Sequence, residues 1–142
     1  YPKVQNIVVT SVELPHRYSA YVICAGYDTT ATASKIHYFR VPKLNAHFSG
    51  SGDLFSALLL DLLVPSEAED EPALSDALNM VLSLVDGILQ RTLELSLQND
   101  EFLNSSRIIN DLKLIQSADL LKRSDQKEDI KSLARFTEEE LP

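Results

Sequence analysis

One apolar stripe constrains this chain more than any other feature. Between Ala73 and about Gln98, Leu74, Leu78, Val81, Leu82, Val85, Leu89 and Leu93 recur at the spacing of one helix face. A helix of that length needs an apolar surface to lie on, because its own propensity adds little stability. Asp76, Asn79, Asp86 and Glu94 are expected on its wetter side. The partner surface is sought upstream, where the texture is different. Val4–Val12 is rich in β-branched residues, and Ile7-Val8-Val9 reads as a strand buried on both faces, as in a parallel sheet. Ser19–Tyr27 and Lys35–Val41 read as two more strands, joined by a small-residue connection from Asp28 to Ser34 and closed by Pro42. Strands that follow one another without helices between them suggest an antiparallel excursion from a larger sheet.

Downstream, Asp53–Val64 is apolar around most of its circumference and predicts a buried helix. The acidic stretch Pro65–Pro72 reads as a solvated loop, with Pro72 suited to the first turn of the long helix. Leu112–Gln116 predicts a last strand, and Ser117 the cap of a following helix. The charged tail from Ser124 is expected to fold weakly.

Composition narrows the function classes. With 142 residues and 44% hydrophobic content, the chain can bury a real core and is not a disordered segment. Its longest apolar run, Ala57–Val64, is broken by Asp61 and is too short to cross a bilayer. The first residues lack the plan of a signal peptide and also an initiator Met, so the chain is expected to be processed, truncated or part of something longer. The one Cys, Cys24, lies in an apolar run; this excludes an internal disulfide and predicts a buried free thiol in a reducing, cytoplasmic setting. The net charge is −8, unevenly divided. Residues 1–53 carry five Lys/Arg against three Asp/Glu, while residues 54–142 carry eight against eighteen. That argues against nucleic-acid and membrane partners, which want a basic face, yet leaves room for a small polyanion near the first half.

The chemistry concentrates at Phe48-Ser-Gly-Ser-Gly-Asp-Leu-Phe. Two of only four glycines, Gly50 and Gly52, immediately precede a helix. Glycine lets backbone N–H groups approach an anion, and a helix N-terminus adds free N–H groups and the positive end of its dipole. Asp53 sits at the mouth of such a site, where phosphate would repel it unless it accepts a proton from an attacking hydroxyl. No Lys adjoins a Ser/Thr, so this is not a P-loop. Taken as a tetrapeptide, Gly-Ser-Gly-Asp is more often an ordinary turn with an N-cap aspartate than an anion site.

Four ordered matches add context: Val8-Val9-Thr10-Ser11 with Leu14-Pro15; Val41-Pro-Lys-Leu-Asn-Ala-His-Phe-Ser-Gly-Ser-Gly-Asp-Leu-Phe-Ser-Ala-Leu-Leu-Leu; Ile88-Leu-Gln-Arg-Thr92; and Leu112-Lys-Leu-Ile-Gln-Ser117. Across most of its length the chain resembles the C-terminal half of pyridoxal kinase, of the ribokinase-like superfamily. The resemblance implies a ribokinase-like three-layer α/β fold, of which this is the C-terminal portion of a single domain. It implies ATP-dependent phosphorylation of the 5′-hydroxyl of pyridoxal, pyridoxine or pyridoxamine, with Mg²⁺ and a monovalent cation, in a homodimeric enzyme. Asp53 matches the catalytic base, and Gly50, Ser51 and Gly52 the anion hole, with Ser51 where the family usually has Thr. Thr10 and Ser11 match positions that contact ATP phosphates, and Leu44 and Phe48 positions near the base and ribose. Substrate-binding groups would lie in an absent N-terminal half, so the 142 residues alone are expected to be inactive. The alternatives are a related kinase acting on hydroxymethylpyrimidine or a sugar, and a non-catalytic interaction fragment.

The remaining candidates are plain. His16, His37 and His47 are widely separated and lack acidic neighbours at metal-ligand spacing. Tyr18, Tyr21, Tyr27, Tyr38 and Phe39 are expected to pack the sheet. Lys35, Arg40 and Lys43 add local positive charge without an assigned role.

Overall fold

The computed structural model describes residues 4–14, 20–29, 35–64, 73–99, 108–125 and 134–139. Among these, strands β1 (Asn6–Val12), β2 (Tyr21–Asp28) and β3 (Ile36–Pro42) come first, then a short β4 (His47–Phe48). Helix α1 (Ser51–Leu63) and the long α2 (Leu74–Gln98) follow. A short β5 (Ile108–Ile109), a 3₁₀ turn at Ile115–Ser117, α3 (Ala118–Asp125) and β6 (Glu138–Glu139) complete the order. The main sheet runs β1-β2-β3-β6 with every neighbouring pair antiparallel, and β4 pairs in parallel with β5.

Helix α2 lies on the inner face of this sheet. Leu74, Ala77, Leu78, Met80, Val81, Leu82 and Val85 are buried there with Cys24 and Phe39 from β2 and β3, and with Leu59 and Leu62 from α1. The approach is close enough that a Cβ on Gly26 of β2 would overlap the Leu78 side chain, so glycine is what lets the helix settle. The burial expected for Cys24 is present, and it pushes the thiol pKa up to about 12.

Several expectations are corrected. Ile7-Val8-Val9 is not a parallel strand buried on both faces. It is antiparallel, with Val8 turned toward the core while Ile7 and Val9 are 47% and 51% exposed. An all-apolar run cannot tell which of its alternating faces the same chain covers. Helix α1 buries fully only Leu59 and Leu62, and Leu60 is exposed, because it meets the core along one side. On α2, Asp86 is buried and Asn79 half-buried, since the C-terminal segment packs over that side. Leu112–Gln116 is not a strand; the pairing falls on Ile108–Ile109, and the chain then turns into 3₁₀ geometry. Ser117 directly precedes α3, but its buried hydroxyl makes no hydrogen bond and so caps nothing. The expected loops at 30–34 and 65–72, with Tyr18 and His16, lie outside the described residues.

Two of the separated sequence blocks turn out to grip each other. Thr92 Oγ1 accepts the Lys113 N–H at 3.1 Å. Arg91 donates to the Gln116 carbonyl at 3.0 Å and pairs with Asp119. This contact seats the 108–117 segment against α2 and so fixes the parallel β4–β5 pair.

Of the charged tail, residues 126–133 and 140–142 lie outside the described residues, while 134–139 are strapped to the body. Asn79 exchanges two hydrogen bonds with the Phe136 backbone, at 2.5 and 3.0 Å. Ser83 Oγ accepts the Arg135 N–H at 3.0 Å, and the Arg135 guanidinium donates to the Ser83 carbonyl at 2.9 Å. Glu139 pairs with Arg40. Glu138 accepts from Ser75 at 2.6 Å and lies 2.6 Å from His37 Nδ1 and 3.5 Å from Lys35 Nζ. Burial disfavours the charge on Glu138, but these three partners outweigh it and hold the carboxyl below the usual glutamate range. A lowered folded-state pKa adds stability above the unfolded value, near 4.3, and that stability is lost as pH falls through the folded value. The β3–β6 pairing should therefore loosen on acidification below about pH 4.3. Amide exchange at Phe39 and Glu138 against pH checks this, and Glu138→Gln should flatten the dependence.

Candidate functional site

The site is built where the sheet's loops meet the N-terminus of α1. β1 carries a bulge between Val9 and Val12, where Thr10 and Ser11 together oppose one residue of β2. Ser11 adopts φ +58°, a left-handed conformation that costs a non-glycine residue on the order of 1 kcal/mol or more. The bulge takes both hydroxyl residues out of the regular ladder, and both line the same cleft.

A second approach comes from β3. After Pro42 the chain turns at Asn45–Ala46, with the Ala46 N–H on the Leu44 carbonyl at 2.9 Å, and passes through β4. β4 is anchored by His47 and Phe48 pairing with Ile108 and Ile109 and by the Ser49 N–H on the Ile109 carbonyl at 2.9 Å. Gly50 then takes φ +83° and directs the chain into α1. A side chain there would meet only ordinary contact with Leu112, so the backbone angle, not space, demands glycine.

Helix α1 starts with no side-chain cap on its N-terminus, and its first ladder bond is from Leu54 N–H to the Gly50 carbonyl. The N–H groups of Ser51, Gly52 and Asp53 are therefore left for a ligand or water. Ser51 Oγ turns back to the Phe48 carbonyl at 3.3 Å. A Cβ on Gly52 would have nothing within 4 Å. Neither packing nor dihedral angle demands glycine at that position; what its missing side chain leaves open is the cleft.

The cleft measures about 880 Å³, within the range of small-molecule sites. Seven of the eight residues singled out in the sequence line it: Thr10, Ser11, Leu44, Phe48, Ser51, Gly52 and Asp53. Gly50, the eighth, shapes the turn behind them. Asp53 is exposed in the first turn and does not serve as the helix cap. Val8, Val22, Cys24 and Val41 from the sheet, with Leu59, Leu82, Val85 and Leu89 from the helices, make the walls apolar. Lys43 pairs with Glu13 at 3.2 Å, and both line the cleft. Sequence reasoning gave Lys43 only local positive charge, set Asp86 on the wetter side of α2 and did not single out Glu13. Lys43 stands inside the Val41–Phe48 block that carries the resemblance, but Glu13 and Asp86 reach the cleft only through tertiary packing. His37 binds Glu138 away from the cleft lining, and His47 lines it from β4.

No protein-family model matches the chain. Over 125 residues it is 46% identical to "Putative pyridoxal kinase BUD17" of Saccharomyces cerevisiae, covering 87% of this chain and 39% of that protein. It is 35% identical over 57 residues to "Putative pyridoxal kinase C18.10" of Schizosaccharomyces pombe, covering 40% of this chain and 16% of that protein. The fold matches a crystal structure of Plasmodium falciparum PdxK with the ligands AMP-PNP and PL. The TM-score is 0.62 at 21% identity, over 96% of this chain and 37% of that one. The fold is thus α/β and ribokinase-like. The chain spans well under half the length of these relatives.

Proposed function

From its likeness to a putative pyridoxal kinase and the geometry of its cleft, we propose that the chain forms the phosphate-transfer portion of an enzyme that phosphorylates the 5′-hydroxyl of pyridoxal, pyridoxine or pyridoxamine with ATP. The observation that carries this is the open side of Gly52, set in an uncapped helix N-terminus beside Asp53 in one cleft. The three free N–H groups of Ser51, Gly52 and Asp53 receive the γ-phosphoryl oxygens and stabilise their charge during transfer. Thr10 and Ser11 contact the remaining phosphates, and Leu44 and Phe48 flank base and ribose. Asp53 takes the proton from the 5′-hydroxyl as its oxygen bonds to the γ-phosphorus, while the bond to the β–γ bridging oxygen breaks and ADP leaves.

Family chemistry implies Mg²⁺. Among the described residues no group of three His, Cys, Asp or Glu could hold a metal ion. The described residues do not form a cage for the cation. Magnesium commonly enters such sites on the phosphates themselves, with its waters. The homodimer and the cytoplasmic location expected from the sequence belong to this proposal too.

The outer face of the sheet bears on the missing part of the enzyme. Ile7, Val9 and Ile36 are all more than 40% exposed, with Ile7 and Ile36 in one cross-strand row through Tyr27. An apolar sheet face and a β1 edge that pairs with no further strand among the described residues are what the rest of a kinase domain would cover. The 142 residues on their own should therefore turn over no pyridoxal and should bind a hydrophobic dye strongly; robust activity from them would contradict this. The defining test is formation of pyridoxal 5′-phosphate by the full-length protein with Mg·ATP, run beside hydroxymethylpyrimidine and ribose. No turnover of any B6 vitamer would overturn the reading. Turnover of only the pyrimidine or the sugar would move it to the related kinases. Calorimetric failure to bind Mg·ATP would mark an interaction module.

A further inference from the structure

Asp86 is the charged group that the phosphate-transfer reading leaves unused. It lies in the middle of α2 with its side chain only 8% exposed, and it lines the cleft among Leu82, Val85 and Leu89. Its Oδ2 accepts a hydrogen bond from Gln90 Nε2 at 2.7 Å and faces Arg135 at 4.0 Å. Its Oδ1 has no hydrogen-bond partner among the described residues. A carboxylate in a largely buried side chain with one oxygen unpaired is held at a desolvation cost, which a ligand donor reaching that oxygen from the cleft lowers. Burial raises the carboxyl's pKa against the opposing effects of Arg135 and Gln90, in keeping with a group short of donors.

We propose that Asp86 reads the base of the bound nucleotide by accepting an N–H from its exocyclic amine. This rests on the kinase reading above. Phosphates anchored at the N-terminus of α1 place the base among the apolar walls of the cleft, where an aromatic ring is at home. A guanine edge would ask both carboxylate oxygens to accept side by side, and Gln90 already holds Oδ2. One free oxygen suits one donor, the 6-amino group of adenine. Asp86 is thus a specificity-determining residue, remote from the proton transfer assigned to Asp53.

The test compares ATP with purine riboside 5′-triphosphate, which lacks the 6-amino group, as phosphoryl donors for the full-length protein. The wild type should prefer ATP by about tenfold or more in kcat/KM, as a hydrogen bond to a charged group would give. Asp86→Ala should abolish that preference through the KM for ATP, with kcat nearly unchanged. The isosteric Asp86→Asn should lose it as well, because its carbonyl stays with Gln90 and turns an NH₂ toward the base. Arg135→Ala removes the neighbouring strap contact but keeps the carboxylate, and should retain the preference even if the melting temperature falls. Folded Asp86 variants with an unchanged ATP-to-analogue ratio would overturn the assignment while leaving the kinase reading intact. A wild type that uses both donors equally would do the same. A wild type that neither binds nor uses either nucleotide would overturn the kinase reading, and this assignment with it.

Discussion

Replacing Gly52 by alanine should lower phosphoryl transfer by about a hundredfold or more without weakening the fold. The two effects separate because of what surrounds the position. Gly52 lies in the first turn of α1, and a Cβ there meets nothing of the protein within 4 Å. Alanine is the better helix former, so stability should hold or rise by up to about 1 kcal/mol. The added methyl group instead stands in the cleft, beside the N–H groups proposed to hold the γ-phosphoryl oxygens. Losing one well-placed donor of such a site costs about 10²–10³ in rate. Thermal melting and steady-state kinetics on the same preparation check the pair of results. Unchanged turnover would remove the phosphate from this corner. A collapse in melting temperature would mean that Gly52 serves the fold after all.

Asp53→Asn should reduce kcat by about 10²–10⁴ while leaving the KM for ATP unchanged or lower. The asparagine matches the aspartate in shape but cannot take the proton of the attacking hydroxyl. It also removes a negative charge that repels the phosphates, so nucleotide binding should improve if it changes at all. The same charge favours the N-terminus of α1, and losing it should cost about 0.3–1 kcal/mol of stability. That is far too little to explain a large rate defect. A mutant with full kcat would sink the role given to Asp53. One with intact kcat and a much raised KM would recast it as a binding group.

Much of the site was legible because its parts are close in sequence. Gly50, Ser51, Gly52 and Asp53 occupy consecutive positions, and Leu44 and Phe48 precede them within one block, so a local reading already set them near one another. Thr10 and Ser11 needed the family resemblance, since no local pattern announces a β-bulge with Ser11 in a left-handed conformation. Asp86 was misread for a definite reason. Helical periodicity sorts residues by the face they share, and Asp86 sits at the border of the apolar stripe. Its burial comes from the cleft on one side and from Arg135, 49 residues later, on the other. The strand expected at Leu112–Gln116 failed similarly. An apolar run does not say whether a backbone partner lies beside it, and β4 reaches only Ile108 and Ile109.

By itself the sequence determined the order of the first three strands and the two long helices, the approximate extent of α2 from Leu74 to Gln98, and the chemistry available at the start of α1. Those follow from local periodicity and from residue types whose conformational freedom is local. The tertiary structure decided which face of β1 is covered, that residues 134–139 are strapped to α2 and β3, and that Asp86 faces the cleft rather than bulk solvent. Each of these depends on contacts between residues far apart in the chain, and the burial they create is not written in the neighbours of any one residue.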